Sequence, residues 1–392
     1  MTAVKITLPT ADGGLAAYTL RGPGRFTPAA PGTPLNRIAY SAAHVVADAR
    51  AAIDPWLQCA IDWDATIAYR RRLWSMGLGV AEAMDTAQRG MGLDWPTSLQ
   101  LIARSIDASR DVPGAILASG CGTDQLAPDD AKSVDDVIRA YEEQMAAIEK
   151  LGGKLIVMAS RALARVARGP ADYERVYDRV LSQAREPVIL HWLGDMFDPA
   201  LKGYWGSDDT AQAMATALGI IAAHAKKVDG IKISLLDKDK EIEMRRRLPA
   251  GVRMYTGDDF NYAELIAGDG LRHSDALLGI FDAIAPAASA ALAALATGDE
   301  ARFHAILAPT VPLSRHIFQS PTRFYKTGVV FMAWINGHQN HFTMVGGQQS
   351  TRSLLHFAEL FRLADAAGLI EQPALAMQRM RTLLALHGVN AD

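Results

Sequence analysis

The feature that most constrains this chain is a recurring alternation. From residue 37 onward, eight short apolar runs are separated by segments of helical length. The runs are Arg37–Ala42, Gly79–Ala83, Gly114–Ser119, Lys154–Met158, Pro187–His191, Gly230–Ile233, Arg253–Thr256 and Asp275–Gly279. Between them the apolar period lengthens. In 134–151, for example, Val134, Val137, Ile138, Tyr141, Met145 and Ile148 recur at steps that place them on one helix face. Repeated strand–helix units imply a parallel sheet. Eight of them predict a closed TIM (β/α)8 barrel over residues 37–286.

Both flanks depart from this rhythm. Within the N-terminal segment 1–36, Val4–Leu8 and Ala16–Leu20 alternate polar and apolar residues around Asp12-Gly13-Gly14, the pattern of a hairpin. From about Ala285 strand signals cease. Ala288–Leu295, Ala301–Leu307, Phe324–Asn336, Ser350–Ala367 and Pro373–Leu386 predict a C-terminal helical extension over 287–392. Its alanine- and leucine-rich faces predict a contact between copies of the chain, as a homo-oligomer (dimer or tetramer).

A net charge of −3 gives no general attraction to nucleic acid or to an anionic membrane. The short basic runs Arg70–Arg72 and Arg245–Arg247 are expected on solvated helix faces. No apolar stretch reaches the roughly 18 residues a membrane-spanning helix needs. The first residues lack the basic start and apolar core of a secretory signal. Cys59 and Cys121 form neither a disulfide framework nor a ligand cluster. The expectation is a cytoplasmic enzyme on a small-molecule substrate, with no cofactor, no metal, and neither membrane nor nucleic acid as partner.

In a TIM barrel the reactive side chains come from the C-terminal ends of the strands. That rule selects His44, Glu82, Asp85, Gln88, Ser119, Asp124, Ser160, Arg161, His191, Asp195, Lys232, Asp258, Asp259 and Asn261. Lys232 lies in the apolar run Val228-Asp-Gly-Ile-Lys-Ile-Ser234. Burying a charged lysine in a barrel wall is costly. Burial therefore favours the neutral amine, a nucleophile toward carbonyls.

Gly230-Ile231-Lys232 resembles the Gly-Ile-Lys strand that carries the Schiff-base lysine in the dihydrodipicolinate synthase and N-acetylneuraminate lyase superfamily. Tyr255-Thr-Gly-Asp-Asp259 resembles that superfamily's Ser-Gly-Asp-Asp turn, and Glu186-Pro-Val-Ile-Leu-His191 its Leu-Pro-Val-Ile-Leu-Tyr strand. The likeness runs from about Asn36 to Pro286. With Gly337-His-Gln-Asn-His341, the chain is most similar to a bacterial branch of unassigned function. The resemblance implies a class I lyase of the aldolase or dehydratase type, with Lys232 forming the imine. His191 stands where the superfamily has a tyrosine, and histidine moves protons near neutral pH.

One departure bears on the substrate. Superfamily members hold the carboxylate of pyruvate on a Gly-Thr-Thr-Gly-Glu turn, where this chain reads Ala83-Met-Asp-Thr-Ala-Gln-Arg-Gly90. Asp85 repels a carboxylate placed there unless Arg89 turns inward. A keto sugar or sugar derivative is therefore expected. His44, Asp85, Gln88, Ser119, Asp258 and Asp259 are the expected substrate-binding residues, beside catalytic Lys232 and His191. An alternative on the same barrel is a divalent-metal sugar isomerase or epimerase, with His44, Glu82, Asp85 and His191 as ligands. A metabolite-binding barrel without catalysis is a third reading. Trp192, Phe197, Tyr204 and Trp205 are expected to pack beneath the long loop after His191, and His338 and His341 to serve an interface or a cap.

Overall fold

The computed structural model describes residues 5–24 and 26–389. A hairpin of β1 (Lys5–Pro9) and β2 (Leu15–Thr19) opens it. Val4, the first residue of the predicted strand, lies outside the described residues, as do the first residues read for a secretory signal. Eight strands follow: β3 (Ala39–Ala42), β4 (Gly79–Glu82), β5 (Leu117–Cys121), β6 (Leu155–Val157), β7 (Val188–Leu193), β8 (Val228–Ser234), β9 (Arg253–Thr256) and β10 (Asp275–Leu278). Each pairs in parallel with the next, and β10 closes on β3 through Ala276–Ala39, Leu277–Tyr40 and Leu278–Ser41. The chain is a TIM barrel wrapped by helices, with further helices after β10.

Strand alternation decides what fills it. Tyr40, Ala118, Ile156, Ile189, Tyr255 and Leu277 pack inside the barrel, while neighbours such as Val80 and Cys121 face the surrounding helices. Large and small residues interlock inside. A Cβ at Gly230 would lie 2.6 Å from the Tyr255 ring, so the glycine makes room for the tyrosine. Most strand boundaries differ from the expected runs by one to three residues, and the shift in β5 matters for the site. β5 begins at Leu117 because Gly114, at φ +76°, belongs to the preceding turn.

The C-terminal helices are Ala285–Ala296, Glu300–Leu307, Val311–Ile317, Tyr325–Ile335, Leu354–Ala366 and Pro373–Leu386. Every residue of Tyr325–Ile335 is buried, as are nine of the twelve in Ala285–Ala296. Those apolar faces pack largely within the chain, although Leu355 and Leu386 stay exposed. The N-terminal segment binds the same layer: the Tyr18 hydroxyl donates to Asp365 at 2.7 Å and the Ala29 amide to Ser289 at 2.9 Å. The basic runs also differ from expectation. Arg70 and Arg245 are buried, the first against Glu82, the second against Ser274 and Asp269. Among the described residues, no helix is long and apolar enough to cross a membrane.

Candidate active site

Lys232 is a residue of β8 with His191 of β7 and Tyr255 of β9 as its register partners. Register partners on parallel strands are about 4.8 Å apart and share a face. Tyr255 belongs to the barrel interior, so Lys232 and His191 face inward. A Cβ on Gly257 would come within 2.8 Å of Lys232 Cε and 2.2 Å of Ser234 Oγ, so the bare glycine backbone is what gives the lysine its channel. Lys232 is only 7% exposed, and no acceptor lies within hydrogen-bonding reach of its amine among the described residues. Burial pushes that amine below the usual lysine range, against the opposing pull of Asp85 and Asp259.

His191 is buried as well. Desolvation, aided by the charge of Lys232, holds its imidazole well below the usual value, so the ring is neutral near pH 7. Its Nε2 lies 3.3 Å from Ser234 Oγ. Asp259 accepts the Ile280 amide at 2.9 Å, and burial raises its carboxyl to about 7 despite Lys232 nearby. Asp85 opens the short turn Asp85–Ala87 after β4. It joins His191 in lining a cavity of about 300 Å³ at the C-terminal face, a size suited to a small metabolite. Lys232, His191, Asp85 and Asp259 thus form one cluster.

The other expected ligands lie elsewhere. Ser119 is the middle residue of β5 rather than its end. It shares a face with Cys121 and pairs in register with Glu82, so its hydroxyl meets the helices, not the cavity. His44 is fully buried against Asp282, whose carboxylate takes both its backbone amide and Nδ1 at 2.8 Å and the Tyr69 hydroxyl at 3.0 Å. Gln88, at φ +64°, donates to the Val345 carbonyl at 2.7 Å and so anchors the C-terminal region. Asp258 accepts the amides of Phe260 and Asn261 at 2.8 and 3.0 Å, shaping the turn after β9. Glu82 is committed to Arg70, and among the described residues no three His, Cys, Asp or Glu side chains gather as a ligand group. The four ligands named for a metal-dependent isomerase are therefore not brought together. Trp205 packs on Tyr177 at 4.7 Å beneath the loop, and His338 pairs with Glu371 at 3.0 Å.

Arg89 does turn inward, yet it is occupied: it pairs with Asp124 at 2.8 Å and donates to Gln144 and to the Gly120 carbonyl, each at 2.6 Å. Two residues that strand-end reasoning missed approach from the C-terminal region. The Tyr325 hydroxyl meets Thr86 at 2.8 Å, with Asp85 and Asp259 among the charges acting on it. Lys326 is buried beside Met91, and burial lowers its amine to about 8, with Asp85 its main opposing charge. Their only sequence signal was a tyrosine and a lysine at the start of an otherwise apolar helix.

Comparison with known proteins agrees with this architecture. Dihydrodipicolinate synthase from Aquifex aeolicus superimposes with a TM-score of 0.60 at 12% identity, covering 90% of this chain and 98% of that one. The enzyme from Cyanidioschyzon merolae, solved with lysine bound, gives 0.63 at 14%, covering 84% and 98%. The 4-hydroxy-tetrahydrodipicolinate synthase from Methylacidiphilum fumariolicum SolV gives 0.62 at 12%, covering 88% and 99%. A search of curated proteins returns no match. The family model described as "Protein of unknown function (DUF993)" matches residues 6–389. The chain is therefore a member of the DUF993 family, built on the dihydrodipicolinate synthase fold.

Proposed function

We propose that this protein is a Schiff-base lyase of the aldolase or dehydratase type, acting on a keto sugar or sugar derivative. The observation that carries the reading is the setting of Lys232: an inward amine, desolvated and without a hydrogen-bond partner, beside a neutral histidine at the C-terminal end of the barrel. The neutral amine adds to the substrate carbonyl, and the carbinolamine loses water to give a protonated imine. The imine accepts the electron pair released when the bond between the α and β carbons breaks, or when the α proton leaves before β-hydroxide departs. His191, as the free base, takes the proton of the β-hydroxyl in cleavage or the α proton in dehydration. After cleavage, protonation of the enamine at the α carbon and hydrolysis of the imine return Lys232. In dehydration the enamine expels the β-hydroxyl as water, which takes the proton held by His191, and hydrolysis of the unsaturated imine returns Lys232. Asp85 favours hydroxyls over a carboxylate beside the imine carbon, because Arg89 is held by Asp124 and leaves that charge to its neighbours.

The test is borohydride trapping with open-chain keto sugars, read by mass spectrometry of the intact protein and of its peptides. A reduced adduct mapped to Lys232, abolished in Lys232→Ala and insensitive to chelators, is the expected outcome. Adducts at other lysines alone would overturn the mechanism. Trapping of pyruvate more readily than of any keto sugar would overturn the substrate class.

A further inference from the structure

We propose that the rim of this cavity holds a subsite for an anionic group, carboxylate or phosphate, at the end of the substrate remote from its carbonyl, with Arg161 as the donor. The inference rests on the Schiff-base reading only for which end of the cavity receives the carbonyl.

Arg161 follows β6 and begins the short helix Arg161–Val166. It lines the same cavity as His191 and Asp85. One edge of its guanidinium is clamped: Nε donates to Asp198 Oδ2 at 2.5 Å. Asp198 is itself fixed, because its other oxygen accepts the Ala200 amide at 3.1 Å. Nη1 and Nη2 meet no protein acceptor among the described residues. A guanidinium oriented by one carboxylate and open on its remaining edge is a preformed fork for a second anion, with the ordering cost met during folding. The contrast with Arg89 is direct, since that guanidinium already satisfies two carbonyls, a carboxylate and an amide.

The opposite wall is shaped for close approach. Gly90 comes so near that a Cβ there would lie 3.1 Å from Arg161 Nη1, and its φ of +67° suits glycine. The turn carrying Asp85 therefore reaches the guanidinium with backbone alone. Charge is also arranged by position. Asp85 acts on both Lys232 and Lys326, and Asp198 and Arg161 act on Lys326 as well. A ligand filling the cavity meets both the Asp85 carboxylate, a hydroxyl acceptor, and the open cationic fork of Arg161. An α-keto carboxylate has its charge next to the carbonyl and does not fit that order. A keto sugar acid or keto sugar phosphate, with the charge several carbons away, does.

The experiment compares trapping on Lys232 of the full-length protein by fructose, fructose 6-phosphate and 5-keto-gluconate. The expected result is half-maximal trapping by a charged ketose at a concentration at least about ten-fold below that of fructose, as a charge-assisted bidentate contact provides. Whichever of phosphate and carboxylate shows the preference names the source. Arg161→Gln should bring the charged-to-neutral ratio close to one, and Arg161→Lys should keep part of it. Asp198→Asn, which unclamps the guanidinium while retaining it, should also lower the ratio. Equal trapping of charged and neutral ketoses by the wild-type protein overturns the subsite and leaves the Schiff base standing. Should no ketose form an adduct, the Schiff-base reading fails, and calorimetry with inorganic phosphate and gluconate tests the subsite alone. Binding that is lost in Arg161→Gln supports it, whereas binding that survives, or none in the wild-type protein, overturns it.

Discussion

At the scale of single residues, the reactivity of Lys232 is set by two opposing influences whose signs are testable. Burial disfavours the ammonium form, while Asp85 and Asp259 favour it. Trapping should therefore rise with pH and level off with a midpoint below the ordinary lysine value. Asp259→Asn removes one anion yet keeps an oxygen for the Ile280 amide. The ammonium then loses a stabilising charge, so the midpoint should fall further and trapping at pH 7 should quicken. A midpoint that moves upward in this variant would contradict the assigned electrostatics. The residues of this cluster were legible because Asp85 and Asp259 follow strands while His191 and Lys232 lie in the C-terminal halves of β7 and β8, where position along the chain fixes position in a barrel. Ser119 misled because its face depends on strand parity, and parity depends on where the turn at Gly114 releases the chain. Gln88 misled for a different reason: its partner is the carbonyl of Val345, and no local pattern announces a contact across so much sequence.

Elements carry a second consequence. The helices Val311–Ile317 and Leu354–Ala366 meet through His316 and His356, whose rings stack 4.2 Å apart at 16°. His316 donates from Nε2 to the His356 carbonyl at 2.9 Å, and His356 Nδ1 accepts from Gln319 at 2.9 Å. Desolvation and the neighbouring ring lower His356 to about 3, and His316 is lowered too. Both folded-state values lie below the unfolded one near 6.5, so acid is taken up preferentially by the open form. Stability from this pair is present above pH 6.5 and is lost progressively as pH falls toward 3. Hydrogen exchange at pH 7 and pH 4.5 should show these two helices losing protection before the barrel strands do. His356→Gln should flatten that dependence. Exchange that accelerates uniformly across the molecule would count against it. The barrel elements were readable because apolar runs and helical stretches recur eight times, each supporting the others. Val311–Ile317 was not, since Pro309 and Pro312 crowd its start and disguise a helix that opens with proline in its first turn.

For the whole molecule, the extension is part of the folding unit. Tyr325–Ile335 is buried throughout, and Arg72 of the barrel layer pairs with Glu371 at 2.7 Å. A chain ending at Pro286 would expose the surface those helices cover, and it should aggregate or bind hydrophobic dyes, whereas the full chain should melt in one transition. A soluble, cooperatively melting truncation would refute this. The same architecture has a temporal side. Synthesis runs from the N-terminus, so all eight strands and Lys232 leave the ribosome before the Tyr325–Thr86 contact, the buried Lys326 and the Val345 anchor of Gln88 exist. Lys232 is made early, and the surroundings of the cavity are completed only when residues from Tyr325 onward arrive. A nascent barrel is thus one whose turn after β4 still lacks its C-terminal partners.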